Sequence, residues 1–571
     1  MNKGSALQNQ YDVIVLGGGA AGMTAALVAA IEGLSVCLLE KEKEIGGTTA
    51  WSGGQVWAPC SPVLNKVGDV PDHLESVRSY LREVVRGSEN DARMTAFLGA
   101  ISEAVNFLIR HSQVQLQPVP GYPDYYPDLV GASVAGRVLE PKPFDASVLR
   151  SNLHRLRLPL PEFCLFKDMM IARQNLPHYR RFLLSPVSFG IVIKSILRHG
   201  WERIRFGRGA SLVLGNALVA RFYASLLDSK VTIKTEMVVQ SLIRSEDGKV
   251  AAVKLEDGRV FQARWGIVLA TGGFSHDPVR RREQLPSTMS ECSATFSGVT
   301  GDGARLSNMV GGCFRSAAGE NAFLAPISSY KRTDGSVAVF PHTVSDRAKP
   351  GLIAVDQTGQ RFVNEAVSYH EFGKALLSHH NKGGAGGTAF AWLIADKAFS
   401  WKYGLGALKP MHLNLRFLLS QEYIVRSPSI AELAVRLNLP VEALVQTIAD
   451  YNSYATKGED PKFSRGCNAY QRFLGDAEVK PNPCVATMAS PPFFAVKIEI
   501  GDLGTAAGIA TDGSARVLDE EGSPIDGLYA CGLDAHSVME GNYPGPGITL
   551  GPAIAFGYLA AKDISSRARQ P

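Results

Sequence analysis

Residues 11–54, YDVIVLGGGAAGMTAALVAAIEGLSVCLLEKEKEIGGTTAWSGG, decide the fold. Val13 to Leu16 is a short apolar run suited to a central parallel strand buried on both faces. Gly17, Gly19 and Gly22 then give G-x-G-x-x-G: the first for a tight turn, the second for backbone approach to a pyrophosphate, the third for close helix–strand packing. The alanine-rich stretch opening with Ala20 and Ala21 predicts a helix that presents its first amides and positive dipole end to phosphates. Leu34 to Leu39 predicts the next strand. Glu40 ends it, with Lys41 beside it, about 20 residues past the glycines, where a carboxylate accepts ribose hydroxyls. A lone glycine motif is an ordinary turn. With a strand before, a helix after and the acid in place, it reads as a dinucleotide site.

The continuation selects FAD over a nicotinamide. Gly46, Gly47, Thr48, Thr49, Ser52, Gly53 and Gly54 supply bare backbone and hydroxyls beyond the ribose-binding acid, as a ligand running on to a flavin requires. The far end of the chain, GLYACGLDAHSVMEGNYPGPGITLGPAIAFGYLAAKDI at 527–564, reads as a strand, a glycine-rich loop and a closing helix, with Gly532, Gly547, Thr549 and Leu550 as its flavin contacts. Between them, VTIKTEMVVQSLI brings backbone at Val239 towards an adenine. A hairpin then leads into a buried strand ending Ala270-Thr271-Gly272-Gly273, with Asp302 shortly after. No histidine or cysteine sits in a linkage motif, so the FAD is expected to be non-covalent.

At 571 residues the chain exceeds one ordinary core. The expected fold class is α/β: a Rossmann-like FAD-binding domain, discontinuous in sequence (10–303 and 492–571), with an inserted α+β catalytic domain at 304–491. A helical excursion occupies about 116–205. Hydrophobic residues at 45%, charged residues at 20% and a net charge of +5 fit a globular enzyme and argue against a nucleic-acid partner. The eight cysteines are scattered without metal-ligand spacing, so no metal site is expected, and free thiols in a reducing, cytoplasmic compartment are. The opening MNKGSALQNQ is short and polar, unlike a signal peptide. Residues 179–209, YRRFLLSPVSFGIVIKSILRHGWERIRFGRG, are apolar and basic, with Glu202 their one acid. Two readings stand: a core-facing helix with solvated arginines, or a basic amphipathic segment in peripheral contact with an anionic membrane.

Five stretches carry a family resemblance: VPGYPDYYPDLVGASVAGRVLEPKPFD within 118–145, RAKPGLIAVDQTGQRFVNEAVSY at 347–369, DPKFSRGCNAYQRFLGD at 460–476, GDLGTAAGIATD at 501–512 and SVMEGNYPGPGITLGPAIAFGYLAA at 537–561. Over nearly its whole length the chain resembles the flavin-dependent 3-ketosteroid dehydrogenases, Δ1-dehydrogenase type, of the fumarate reductase/succinate dehydrogenase flavoprotein superfamily. The resemblance implies that the Tyr543 hydroxyl and the Gly547 backbone N–H bind a ketone oxygen. Such an oxyanion hole stabilises the enolate as the α-carbon loses its proton, while hydride leaves the neighbouring carbon for flavin N5. It implies a bulky neutral ketone as substrate, a steroid first of all, with a place in steroid and lipid metabolism. It implies a quinone or electron carrier as re-oxidant.

The family's base is a tyrosine, helped by a second that aligns with Tyr125 and Tyr126. The base belongs just before an alanine- or glycine-proline pair, and here GENAFLAPISSY has Phe323 and Leu324 there, with Tyr330 displaced. Either Tyr330 or one of Tyr125 and Tyr126 takes the role, or the reaction differs. Alternatives are 4-ene formation from a 5α-steroid, desaturation or reduction of another cyclic ketone, and, least favoured, a non-catalytic flavin-binding protein. The related fumarate reductases grip carboxylates with arginine and histidine, which the closing loop and GDLGTAAGIATD lack. Arg361 and Glu365 read as an ion pair that braces the catalytic domain.

Overall fold

The computed structural model describes residues 9–570 apart from 62, 64–71, 86–90, 136, 345, 385 and 413–414. Most of the opening MNKGSALQNQ lies outside the described residues. The nucleotide half starts with β1 (Gln10–Leu16), α1 (Ala20–Ile31) and β2 (Val36–Leu39), the strand–helix–strand order read from the glycine motif. A core helix α2 (Ala92–His111), the excursion helix α3 (Pro186–Phe206) and α4 (Leu214–Asp228) follow, then β3 (Thr232–Lys234), β4 (Val239–Arg244), β5 (Val250–Leu255) and β6 (Val260–Leu269). The second half holds β7 (Ala322–Lys331), β8 (Val337–Pro341), β9 (Leu352–Val355), α5 (Tyr369–Lys382), β10 (Phe390–Asp396), β11 (Val425–Ser427) and β12 (Phe493–Thr505). The chain closes with β13 (Arg516–Leu518), β14 (Pro524–Ala530) and α6 (Leu550–Ala568).

One sheet runs β13-β14-β6-β1-β2-β3, with β5 on β6 and β4 on β5. Its middle is parallel: Val13 faces Val36 and Leu16 faces Leu39 on one side, while Ile14 faces Ile267 on the other. β1 is flanked on both edges, with Val13 and Val15 packed on the α1 side and Ile14 and Leu16 packed with Val239, Leu242 and Leu306 on the other, so its apolar run has no polar alternation to show. The other sheet runs β8-β7-β12-β10-β9 with β11 on β12, all antiparallel. The α/β class and its two-sheet plan are as expected. The return point is not: β12 hydrogen-bonds inside the second sheet, so the chain goes back to the first sheet after Thr505 rather than at 492.

The excursion also departs from its reading. It is not purely helical, since Val56–Trp57, Leu116–Pro118 and Val138–Pro141 form a small sheet. On α3 the residues turned inward are Ser188, Val192, His199 and Glu202, while Ile204 is 88% exposed and Leu184, just before the helix, 82%. The core-facing reading required the reverse.

α4 positions the turn at 47–54. Gly215 donates its N–H to the Ser52 carbonyl at 3.0 Å, and a Cβ there would stand 2.0 Å from the Thr49 carbonyl oxygen. No rotamer relieves a clash with backbone. Gly215→Ala is expected to cost about 1–3 kcal/mol, measured as a lower thermal midpoint, and to loosen flavin retention on gel filtration.

Candidate active site

At the nucleotide end, α1 begins after Gly19, and its first amides have no intrahelical acceptor. Ala20 donates its N–H to Thr49 Oγ1 at 3.1 Å, which ties the helix start to the 47–54 turn. Ala21 and Gly22 open the same first turn, and a Cβ on Gly532 would stand 2.8 Å from Ala21 Cβ, so the closing loop abuts this helix start. Glu40 is buried; its Oε2 accepts the Gly18 N–H at 2.8 Å and its Oε1 the Glu42 N–H at 3.0 Å. Burial pushes its carboxyl up from the usual range, against those two amides. Lys41 donates to Asp302 Oδ2 and Thr300 Oγ1, both at 2.6 Å. Val239 lies at the start of β4, its carbonyl accepting from Arg305 Nη2 at 2.8 Å.

Further along, Thr48 Oγ1 accepts the Phe296 N–H at 3.1 Å, and Ser52 Oγ accepts that of Gly54 at 3.0 Å, with Gly47 and Gly53 on the same turn. Thr271 and Gly273 fasten to Asp534: the Gly273 N–H reaches Oδ1 at 2.9 Å and Thr271 Oγ1 lies 2.9 Å from either carboxylate oxygen, with Gly272 in the span. Asp534 has no place in the sequence motifs. It is fully buried, and desolvation pushes its carboxyl up to about 6. Thr549 and Leu550 start α6. Unengaged helix amides, a buried ribose-height carboxylate and two stretches of bare backbone together fit a dinucleotide that continues into a flavin.

Around Tyr543 the chain builds a box of tyrosines. Tyr543 is buried, with its ring 5.4 Å from Tyr125 in a stack, 5.0 Å from Tyr369, 5.4 Å from Phe323 and 5.8 Å from His370. Tyr470 closes on Tyr125 at 4.7 Å. Burial pushes the Tyr543 phenol up to about 12, and raises Tyr125, Tyr369 and Tyr470 well above the usual tyrosine value. His370 accepts the Leu324 N–H at Nδ1 (3.2 Å), and burial holds its pKa down to about 4, so it is neutral at physiological pH. The Gly547 N–H meets no acceptor among the described residues, while its carbonyl accepts from Trp57 N at 3.1 Å and Gly551 N at 2.9 Å.

The other tyrosines read from sequence stand apart. Tyr126 donates to Glu371 Oε1 at 2.8 Å. Tyr330 donates to Glu162 Oε1 at 3.0 Å and packs on Tyr423 at 5.0 Å. β7 explains this: Phe323 and Ala325 share the core with Tyr543, while Leu324 and Tyr330 belong to the opposite face. Tyr369 and Tyr470, absent from the expected site, both lie in stretches that carry the resemblance, 347–369 and 460–476. Arg361 forks onto Glu365 at 2.8 and 2.7 Å and onto Asp460 at 2.9 and 2.8 Å, so the brace is larger than the pair expected.

The FAD binding domain family matches residues 12–550. The chain is 37% identical to 4-oxocyclohex-2-ene-1-carboxylate 5-dehydrogenase of Sinomonas cyclohexanicum, over 97% of this chain and 93% of that protein. It is 35% identical to 3-oxosteroid 1-dehydrogenase of Mycolicibacterium smegmatis, over 98% of each. A crystal structure of 3-ketosteroid Δ1-dehydrogenase from Sterolibacterium denitrificans in complex with 1,4-androstadiene-3,17-dione superposes with a TM-score of 0.89 at 34% identity, covering 98% of this chain and 100% of that one. The cofactor is FAD.

Hydrogen bonds to a carboxylate contribute about 1.5–3 kcal/mol. Glu40→Ala is therefore expected to weaken FAD roughly ten- to a hundredfold, read as loss of flavin absorbance from protein on dilution and desalting. FAD affinity of the unaltered protein should fall as pH drops through Glu40's raised pKa, and the Glu40→Ala protein should lack that fall.

Proposed function

This chain belongs to the family of FAD-binding flavoproteins that includes the 3-oxosteroid 1-dehydrogenases, and from that membership we propose that it introduces a C=C bond next to the ketone of a cyclic 3-ketone, a 3-ketosteroid above all. The observation that carries the reading is that one short loop holds both an unengaged Gly547 N–H and the Tyr543 phenol, the latter set in a box of buried tyrosines. In this reading the Tyr543 hydroxyl and the Gly547 amide donate to the ketone oxygen. A phenol whose pKa burial has raised stays protonated at neutral pH, as a donor must. Charge that develops on the oxygen is then met by two fixed donors.

Proton removal falls to Tyr369 rather than Tyr330. Tyr369 is 5.0 Å, ring to ring, from Tyr543 and 5.6 Å from Tyr125, so the α-carbon proton passes to Tyr369 oxygen with Tyr125 as its neighbour in the cluster. FAD, when bound, supplies the acceptor for the hydride leaving the adjacent carbon. Phe323 takes no proton and walls the pocket. Residues of the first sheet hold the cofactor and those of the second, with the 543–547 loop, the ketone.

A second reading concerns substrate size. The relative from Sinomonas cyclohexanicum is named for a one-ring oxo-carboxylate. Among the groups ringing Tyr543 none is a cation, since His370 is neutral, which favours an uncharged ketone. Flavin bleaching under anaerobic conditions with 4-androstene-3,17-dione against 4-oxocyclohex-2-ene-1-carboxylate separates the two.

Tyr543→Phe removes one oxyanion donor at constant volume and should cost about 3 kcal/mol, on the order of a hundredfold in the rate of flavin reduction. Tyr369→Phe should abolish reduction while a ketone-induced shift of the flavin spectrum persists. Tyr330→Phe should leave the rate within about twofold, less than about 0.5 kcal/mol; a loss as large as that of Tyr369→Phe returns the base to Tyr330.

The excursion adds a second element: a peripheral contact with anionic membrane, giving the enzyme access to apolar ketones and to a membrane quinone as electron acceptor. Leu183, Leu184, Val187, Leu197, Trp201 and Ile204 face outward, flanked by Arg180, Arg181, Lys194 and Arg205. α2, though long and apolar enough to cross a bilayer by length and composition, buries Phe97, Ile101, Ala104, Val105 and Leu108 in the core, and so takes no part. Each buried large side chain contributes about 1.5–3 kcal/mol and each cation near an anionic surface about 1 kcal/mol. The protein should therefore co-sediment with phosphatidylglycerol-rich vesicles and far less with phosphatidylcholine alone. Leu184→Glu with Ile204→Glu should release it while leaving turnover of a soluble ketone unchanged.

A further inference from the structure

Behind the tyrosine box lies a buried cation without a carboxylate on it. Arg347 is 1% exposed, and among the described residues its guanidinium has no acid within ion-pair distance. It donates instead to carbonyls: Nε to His342 at 2.7 Å, Nη1 to Glu365 at 2.9 Å and Val367 at 3.2 Å, Nη2 to Thr343 at 3.3 Å. The Glu365 and Val367 carbonyls belong to the segment that delivers Tyr369 at the start of α5. The guanidinium also lies 4.9 Å over the ring of Phe372, one turn into that helix.

The acids nearby are committed elsewhere. Asp346 Oδ2 is 2.6 Å from His342 Nδ1 and accepts the Gly406 N–H, and its Oδ1 takes Arg347's own backbone N–H. Glu365 is shared by Arg361 and Arg465, with Asp460 completing that cluster. On the tyrosine side, the Tyr470 and Tyr122 hydroxyls are buried with no hydrogen-bond partner among the described groups. The remaining titratable neighbours of the box are Tyr543, neutral His370, and Tyr126 with its Glu371; Arg173 stands off beyond Tyr122. Arg347's charge reaches Tyr470 and Tyr125, and at Tyr470 it favours ionisation against burial and the neighbouring phenols.

We propose that Arg347 is a positioning residue that also acts electrostatically. It fixes the backbone that presents Tyr369 and holds, behind Tyr470 and Tyr125, a positive charge that no carboxylate pairs directly among the described residues, so that the box can carry a phenolate. The phenolate at Tyr369 takes the α-carbon proton; the C–H electron pair becomes the new π bond as hydride leaves the adjacent carbon, and the proton stays on the phenol. The orphaned Tyr470 and Tyr122 hydroxyls are the donors that share the negative charge before this step. The inference rests on the reading of Tyr369 as base.

The test is the pH profile of flavin reduction by 4-androstene-3,17-dione, followed anaerobically in the FAD-loaded protein. Arg347→Gln should move the rising limb up by at least about one pH unit, roughly a tenfold loss at neutral pH, with the rate recovered in alkali. Arg347→Lys should return it towards the original position. Asp346→Asn, which removes the nearest negative charge, should move it down. A limb that stays in place in folded, yellow Arg347→Gln protein overturns the proposal. If that variant loses FAD, a limb that stays or rises in Asp346→Asn overturns it equally. Tyr369→Phe, measured alongside, separates the two levels: full activity there sinks the base reading, whereas its loss beside unmoved arginine profiles sinks the role of Arg347 alone.

Discussion

The ketone site depends on one close contact between the two ends of the chain. Residue 547 lies so near the 55–57 backbone that a Cβ on it would be 2.5 Å from the Gln55 carbonyl oxygen and 2.7 Å from Trp57 nitrogen. With φ at +91°, glycine is the residue that fits on both counts. Its carbonyl is spent on Trp57, which leaves its amide uncommitted. Three residues earlier, the Pro544 carbonyl accepts both the Tyr80 hydroxyl and the Tyr125 N–H. The loop's height and tilt are therefore set by segments that precede it by more than 400 residues. Trp57 and Tyr125 are themselves held from behind: Trp57 Nε1 donates to Asp124 at 2.9 Å, and Asp124 pairs with buried Arg137 at 2.6 Å. Breaking a buried pair of this kind costs about 3–5 kcal/mol, so the placement of the 543–547 loop is protected by an interaction outside the loop itself.

Burial raises every phenol in the box, and so cannot by itself separate donor from base. Separation has to come from neighbours. Tyr543 has Phe323 on one side and neutral His370 on another, neither of which offsets the loss of solvent for its anion, while contact with Tyr369 eases its ionisation in part. Tyr125 and Tyr470 sit on the side of Arg347. Tyr369 lies between, at the N-terminus of a 14-residue helix whose dipole favours negative charge at that end.

The nucleotide half was legible because its constraint is local. Strand, glycine turn, helix and acid follow within about 30 residues, and each is demanded by the same phosphate-binding geometry. The tyrosine box was not legible, because no local pattern specifies it: it draws Tyr125, Tyr369, Tyr470 and Tyr543 from four separated stretches. Side-chain alternation on β7 explains why the nearest tyrosine in sequence, Tyr330, ends on the wrong face. The 492 boundary failed for a related reason. A strand that serves the second sheet and one that serves the first are equally apolar, and Phe493–Thr505 carries nothing to tell them apart.

The excursion shows a different limit, because periodicity identifies a helix's apolar stripe but not which side the protein is on. In α3 the inward face is largely polar, and its carboxylate is heavily engaged. Glu202 accepts from Ala210 N at 2.7 Å, Ser211 N at 3.1 Å and Arg198 Nε at 2.9 Å, while Asp168 accepts from Gly209 N and Arg203, both at 2.8 Å. These bonds tie the helix to the body beside a small apolar contact, in which Val192 and Ile196 pack with Met169 and Tyr179. A helix fastened by packing would lose its hold if its apolar stripe met another phase. This one would not, because its attachment and its apolar surface are on opposite sides. The arrangement lets the leucines and Trp201 face an apolar partner while the buried carboxylates keep α3 in register with the 208–212 segment that leads into α4 and the flavin turn.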